Sequence, residues 1–411
     1  MQEVVLLHFT GDDRPGLTAA LSAVLAQHGI EVLDLNQTVI HRSLLMGMLV
    51  RIPRDRESTN LLKDLLFTAH HMGLQLRMTP VEDGEYDAWV GRQGKPRYIL
   101  TLLARRLDAV HVAAVSAILT EQGMNIDIIT RLSGRPPRND EDAKLRRACV
   151  EFSVRGQPTD ENALRAALMN VCRNHPIDVS WQRDDAFRRT RRLVAFDMDS
   201  TLIQHEVIDE LAHEAGAGAE VAAVTEAAMR GELEFNESLE RRVATLKGLP
   251  ESVLETIAQR LRLTEGAERL IGTLRTLGYK TAIISGGFTY FGEHLRRRLG
   301  IDYVCANELE IERGQLTGRV KGSIINAGRK AELLAEIAQR EHISLRQTIA
   351  VGDGANDLPM LAAAGLGIAF HAKPLVAQSA SHRISHLGLD GILYLIGVRD
   401  REILDSAAGL T

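Results

Sequence analysis

The stretch LVAFDMDST, Leu193 to Thr201, sets four apolar residues directly before two aspartates that stand two apart. Similar apolar runs return at 281–285 (TAIIS), 348–352 (TIAVG) and 366–370 (LGIAF), each ending in a polar loop, with helical periodicity between them. A strand that is apolar on both faces belongs in a sheet covered on both sides. Such strands alternating with helices predict a parallel, doubly wound α/β sheet. Chemistry in these sheets collects beyond the carboxyl ends of the strands, so the segments after each run are the informative ones.

Four segments carry candidate chemistry. Asp197-Met198-Asp199-Ser200-Thr201 can point two carboxylates into one cleft, although a helix-start cap shows the same pair. Ser285-Gly286-Gly287-Phe288 leaves a hydroxyl and backbone N–H groups free to grip an anion, or makes a plain strand-to-helix turn. Lys330 is read as opening a helix over Ala331–Arg340, where a cation opposes the helix dipole and favours an anionic partner. A solvated surface lysine is the alternative. Gly352-Asp353-Gly354-Ala355-Asn356-Asp357 places three acidic or amide side chains on a glycine-loosened loop. That suits magnesium, which takes one or two carboxylates plus water and phosphate. No GxxxxGK[ST], complete GxGxxG or HExxH pattern competes.

Together, DxDST, SGG, lysine and GDGAND resemble the haloacid dehalogenase superfamily. The resemblance implies a Rossmann-like core with a small helical cap. The 88 residues between Asp197 and Ser285 (285 − 197) leave room for that cap at about 206–263. Within the superfamily, DMDSTLIQHEVIDELA, GELEFNESLERRVATLKGLP, AIISGGFTYF and AVGDGANDLPML are similar to phosphoserine phosphatases, over most of Arg192–Leu395. That likeness implies hydrolysis of O-phospho-L-serine, the last step of serine biosynthesis, with Asp197 as nucleophile and Asp199 as acid and base. It implies magnesium held by Asp197, the Asp199 carbonyl and Asp353, with Asp357 farther out. It also implies that Ser285, Gly286 and Lys330 bind phosphate and that Asn356 orients it. Glu206 and Arg242 would hold the ammonium and carboxylate of the substrate, and Met229 and Phe235 would shield the closed cleft. A relative acting on phosphothreonine, a phosphoprotein or a small metabolite would share the core motifs and differ in the cap. A pure regulator with a dead core would not need Asp197, Asp199, Lys330 and Asp353 intact.

The N-terminal half repeats itself. LAQHGIEVLDLN, Leu25 to Asn36, aligns with LTEQGMNIDIIT, Leu119 to Thr130, at an offset of 94 (123 − 29, from Gly123 and Gly29). The same offset sets the strand Val4–Phe9 beside Tyr98–Leu103, and the offset grows to 104 at Val50 and Val154. The extra residues fall in the polar insertion Ser133 to Arg147. Each copy reads strand, helix, strand, strand, helix, strand, which predicts an α+β, ferredoxin-like βαββαβ unit with two helices on one face of a four-stranded sheet. The helices are expected at Leu17–Gln27 and Thr59–His70, then at Val112–Gln122 and Asn162–Arg173.

The opening of copy one, GDDRPGLTAALSAVLAQHGIEVLDL, resembles ACT domains, small regulatory modules that bind amino acids. The likeness implies L-serine as an effector at the loop holding Asp13 and Gly16, and a homodimer built through these domains. Copy two has Leu107-Asp108-Ala109-Val110 there, without Gly or Pro, and is not expected to take the same backbone path. The expected domains are residues 1–83 and 96–182 for the two ACT units and 188–411 for the phosphatase.

Bulk properties narrow the partners. A net charge of −5 gives no field favouring nucleic acid or an anionic membrane. The run Arg188, Arg189, Arg191, Arg192 has no interleaved aromatic residues to stack bases, and is expected to be a solvated linker. Cys149, Cys172 and Cys305 form no CxxC pair. No apolar stretch approaches the roughly 18 residues of a membrane span, so the expectation is a cytoplasmic chain.

Overall fold

In the computed structural model, which describes residues 2–53, 56–91, 94–135 and 146–403, the chain divides into two units, Met1–Lys95 and Pro96–Thr411. The first contains β1 (Gln2–Asp12), α1 (Leu17–Gln27), β2 (Glu31–Ile40), β3 (Ser43–Pro53), α2 (Arg56–His71), β4 (Leu74–Val81) and a short α3 (Asp83–Val90). Its strands form one antiparallel sheet in the order β2-β3-β1-β4. On β3 every second residue, Leu44, Met46, Met48, Val50 and Ile52, is buried, giving the strand one apolar face. That face closes over Leu17 and Leu21 of α1 and Leu61 and Leu65 of α2.

The second unit begins with the same motif: β5 (Arg97–Ala104), α4 (Ala109–Glu121), β6 (Asn125–Arg131), β7 (Ala148–Arg155), α5 (Glu161–Asn174) and β8 (Ile177–Arg183), in sheet order β6-β7-β5-β8. Residues 136–145 of the polar insertion lie outside the described residues. The first strands of the two copies are offset by one residue from the expected alignment. Val5 lies opposite Val50, and Tyr98 lies opposite Val154, so the first strands correspond at an offset of 93 (98 − 5), not 94. A slip of one residue exchanges the faces of a strand. It therefore decides which side chains of β5 meet the helices. Leu100, Leu102 and Ala104 do so, whereas Leu103, with Leu132 and Cys149, joins the core of the following α/β domain. This sheet is thus covered on both faces.

The arginine run is a seam and not a solvated linker. Arg188, on α6 (Ala186–Arg189), is 5% exposed and pairs with Glu151 of β7. Arg191 is 7% exposed and donates to the Thr348 carbonyl and to Gln182 Oε1. These acceptors offset part of the cost of burying the guanidinium groups, and burial still lowers Arg191 to about 10. Arg189 and Arg192 remain exposed.

The remaining strands are β9 (Leu193–Phe196), β10 (Lys280–Phe288), β11 (Tyr303–Glu312), β12 (Gln315–Lys321), β13 (Thr348–Gly352), β14 (Leu366–Phe370) and β15 (His382–Ile384). They form a seven-stranded sheet in the order β12-β11-β10-β9-β13-β14-β15, parallel except for the β11-β12 hairpin. The chain leaves β9 toward β10 and β11, then returns to its other side as β13, so the switch point lies at β9. Between β9 and β10 run α7 (Val207–Glu214), α8 (Gly218–Met229), α9 (Phe235–Ala244), α10 (Ser252–Arg260) and α11 (Ala267–Thr276). An antiparallel bridge between Ile203 and Leu263 closes the base of the first four of these. α12 (Thr289–Leu299), α13 (Ala327–Arg340), α14 (Leu358–Ala363), α15 (Pro374–Ser379) and α16 (Ile392–Leu395) complete the domain. Among the described residues no helix is long and apolar enough to cross a membrane.

Candidate active site

The backbone N–H of Asp197 donates to the Val351 carbonyl at 2.9 Å, so pairing with β13 continues through the first aspartate and fixes it at the sheet's carboxyl edge. The chain then makes a wide, kinked turn over Met198–Leu202, with Asp199 extended and Ser200 at φ 55°. A left-handed residue bearing a Cβ costs on the order of 1 kcal/mol or more. Here the turn brings Asp197 and Asp199 to one cleft and puts the next two hydroxyls to use. Ser200 Oγ donates to Glu206 Oε1 at 2.7 Å, and Thr201 Oγ1 donates to Asp353 Oδ1 at 3.2 Å. Asp199 Oδ1 accepts the first N–H of α7, from Val207, at 3.1 Å.

Lys330 is not a surface lysine. Its helix starts at Ala327, four residues before the expected start, because the Asn326 side chain caps it by accepting from Arg329 N at 3.1 Å. The side chain of Lys330 is fully buried, and its Nζ lies 2.8 Å from Asp197 Oδ2 and 2.7 Å from Asp357 Oδ1. Burial opposes the charge, but the two carboxylates outweigh it and hold the ammonium's pKa above its ordinary value.

Asp357 folds back over its own loop, with Oδ2 accepting from Gly354 N at 3.0 Å. A Cβ on Gly352 would stand 2.3 Å from Asp357 Cγ, so glycine is what lets this carboxylate approach the strand end. One oxygen from each of Asp197, Asp353 and Asp357 lies within 4.8 Å of the others. Burial and the Asp197 charge push Asp353 up to about 6 and Asp357 up to about 7. Asp199 is raised well above the usual carboxylate range, by burial first and then by Glu206 and Asp197. Three hard oxygen donors this close fit a small divalent cation.

The opposite wall comes from β10 and the helical insertion. Ser285 is buried, and its Oγ accepts the Gly287 N–H at 3.0 Å. A Cβ on Gly287 would meet Asp199 Oδ2 at 2.4 Å, so this glycine also permits a close approach. The cleft, about 820 Å³, brings Glu206, Asp209, Phe235 and Arg242 to face Asp197 and Asp353. Arg242 donates through Nε to the Ser238 carbonyl at 3.3 Å. Burial lowers its pKa, against the opposing pull of Glu206, Asp209 and Asp199.

The structure gathers Asp197, Asp199, Glu206, Arg242, Ser285, Gly286, Lys330, Asp353, Asn356 and Asp357 around one cleft. The Met229 side chain lies outside the described residues. Sequence reasoning gave no role to Thr201, Asp209 or Lys373. Thr201 stands inside the quoted motif and could have been assigned, whereas Lys373 reaches the cleft from the turn before α15 with no motif to mark it.

Asp13 and Gly16 belong to the first unit. Asp13 N donates to the Arg42 carbonyl at 2.7 Å, and Gly16, at φ 92°, precedes α1. In the second copy α4 already starts at Ala109, capped by Asp108, which places Val110 inside a helix. The two loops therefore follow different paths.

Comparison with known proteins agrees with this arrangement. Residues 191–365 match the haloacid dehalogenase-like hydrolase family, and residues 3–79 and 97–182 each match an ACT domain family. A phosphoserine phosphatase of Mycobacterium tuberculosis is 44% identical over 98% of this chain and 96% of its own. One from Streptomyces coelicolor is 42% identical over 97% and 93% respectively. A solved haloacid dehalogenase family hydrolase of Salmonella enterica serovar Typhi superposes with a TM-score of 0.63 at 31% identity, covering 73% of this chain and 99% of that one. The chain therefore belongs to the phosphoserine phosphatase family of haloacid dehalogenase-like hydrolases, with two ACT domains ahead of its catalytic domain.

Proposed function

We propose that the chain hydrolyses O-phospho-L-serine to L-serine and phosphate through a phospho-aspartyl intermediate on Asp197. The observation that carries this reading is the juxtaposition of the Lys330–Asp197 pair with Glu206 and Arg242 across one cleft. An ammonium and a carboxylate on the substrate need one anion and one cation beyond the phosphate site, and the planar fork of Arg242 suits a carboxylate.

Asp197 attacks phosphorus as the bond to the serine oxygen breaks. Asp199, whose pKa is raised by burial and then by the Glu206 and Asp197 charges, gives its proton to that leaving oxygen. In the second half Asp199, now a carboxylate, takes a proton from water as the water attacks phosphorus, releasing phosphate and restoring Asp197. The Lys330 ammonium, the Ser285 hydroxyl and the Gly286 N–H stabilise charge on the phosphoryl oxygens, and Asn356 orients the group. Magnesium, when bound by Asp197, the Asp199 main-chain carbonyl and Asp353 with Asp357 behind them, would neutralise the crowded carboxylates and polarise the phosphate. Phe235 at the start of α9 limits water entry. L-serine is the proposed effector at the first ACT loop, and a homodimer through the ACT domains the proposed assembly.

The test is phosphate release from O-phospho-L-serine, O-phospho-L-threonine and para-nitrophenyl phosphate, with magnesium and with a chelator. Highest kcat/KM on phosphoserine, lost with the chelator, supports the reading. No release from phosphoserine with magnesium present would refute it.

A further inference from the structure

We propose that Asn307, which lies outside the cleft, is the positioning residue that holds the two phosphate-gripping segments together. The inference rests on reading Ser285, Gly286 and Lys330 as the phosphate site.

The Ser285 turn is a break in the sheet. Along β10, Ile284 pairs with Cys305 and Phe288 with Asn307, so four steps on β10 (288 − 284) span two on β11 (307 − 305). The residues between bulge out of the ladder, as strands often do beside active sites. Such a bulge gives up part of the backbone bonding of the strand. Asn307 supplies a replacement: its Nδ2 donates to the Gly286 carbonyl at 2.8 Å. The N–H at the other end of the same peptide unit, on Gly287, donates to Ser285 Oγ at 3.0 Å. The Gly286–Gly287 peptide plane is therefore gripped at both ends. Because Ser285 Oγ accepts on that side, its own proton is left to donate to an anion.

The other end of the Asn307 amide reaches the lysine segment. Its Oδ1 accepts the Ile325 N–H at 2.8 Å, one residue before the Asn326 cap of the helix that carries Lys330. The two segments are 39 residues apart (325 − 286), yet a Cβ on Gly286 would stand only 3.6 Å from the Ile325 carbonyl oxygen. Asn307 is 3% exposed and satisfies both backbone groups with one planar amide. An aspartate is isosteric but has no donor for Gly286, and it would set a carboxylate oxygen against that carbonyl. A serine is too short to reach both groups.

The experiment compares the full-length protein with N307D and N307S, at a temperature where melting curves show each folded. It measures competitive inhibition by inorganic phosphate and the ratio of kcat/KM on phosphoserine to that on para-nitrophenyl phosphate. The expected result, in whichever variant folds, is a phosphate inhibition constant raised tenfold or more with a lower kcat, while the ratio, set by Glu206 and Arg242, stays within twofold. General loosening of the cleft would move both quantities. A phosphate constant raised less than tenfold, or a ratio that shifts as much as the constant, overturns the inference. Ser285→Ala separates the two levels. If it weakens phosphate inhibition and the Asn307 variants do not, the phosphate site stands and the inference alone falls. If it has no effect either, the reading of the phosphate site falls as well.

Discussion

The fully buried Lys330 ammonium meets the Asp197 carboxylate at 2.8 Å at the floor of the cleft, with Asp357 completing the contact on the other side. A buried ion pair of this kind contributes little net stability while intact, but breaking it from one side is costly. Lys330→Met would leave two buried carboxylates without their cation. We expect about 3–5 kcal/mol of destabilisation in denaturant unfolding without added metal, together with loss of turnover. Asp197→Asn removes a negative charge from the same crowd, so its stability should change far less. Its turnover should nonetheless vanish, since an amide is a poor nucleophile. More than about a tenth of wild-type activity, about 1.4 kcal/mol of barrier, would exclude Asp197 as the nucleophile.

Arg242→Ala should cost phosphoserine far more than para-nitrophenyl phosphate, which has no carboxylate. Loss of a charge-assisted, partly buried contact is worth roughly 1.5–3 kcal/mol, or on the order of ten- to a hundredfold in kcat/KM. Equal losses on both substrates would remove Arg242 from the specificity site.

The catalytic sheet was legible because LVAF and the Ile349–Val351 stretch of TIAVG are apolar on both faces, the pattern of a strand covered on both sides, and both strands are buried throughout. Their ends then had to meet at one edge, which collected four separate motifs into one cleft. What escaped depends on partners distant in sequence. Nothing around Lys330 marks it as buried, because its carboxylate partners Asp197 and Asp357 are 133 and 27 residues away (330 − 197 and 357 − 330). Arg188 and Arg191 read as a linker because their acceptors on β7 and β13 are supplied by the fold. The 93-residue strand offset was hidden for a related reason. ILTLLA, at 99–104, is apolar at both parities, so a slip of one residue leaves the pattern nearly unchanged. The same continuity, absent from copy one where His8 faces outward, marks β5 as a strand buried on both sides.

The seam between β8 and β15 predicts an acid-sensitive join. Ser180 Oγ and His382 Nδ1 lie 2.8 Å apart. Burial, reinforced by Arg165 and Arg191, lowers the imidazole to about 3. A depressed folded pKa means that, below about 6.5, the unfolded chain takes up a proton that the native one refuses. Stability present at neutral pH is therefore lost as pH falls from about 6.5 toward 3. At pH 5 the loss is about 2 kcal/mol from this group alone. His382→Gln should flatten the fall in Tm between pH 7.5 and 5 relative to wild type. Parallel profiles for the two proteins would show that His382 does not titrate in this way.

Gly16 holds φ 92° with no heavy atom within 4 Å of where a Cβ would sit, so valine there would strain the backbone without a clash. Asparagine tolerates the left-handed region far better. If L-serine acts at this loop, Gly16→Val should weaken its inhibition while Gly16→Asn largely retains it, both with catalytic constants near wild type. Coupling of about 1–3 kcal/mol, roughly five- to 150-fold, is ordinary for such a site. A truncated control cannot begin at Arg188. That cut would strip Leu103, Leu132 and Cys149 from the catalytic core and leave Arg191 without its Gln182 acceptor. The boundary at Pro96 leaves that sheet in place and removes only the first unit. The chain from Pro96 should then show only the competitive inhibition expected of a reaction product. Identical serine inhibition in the wild type, both Gly16 variants and the shortened chain would place serine at the catalytic cleft alone. The first ACT domain would then be left to assembly.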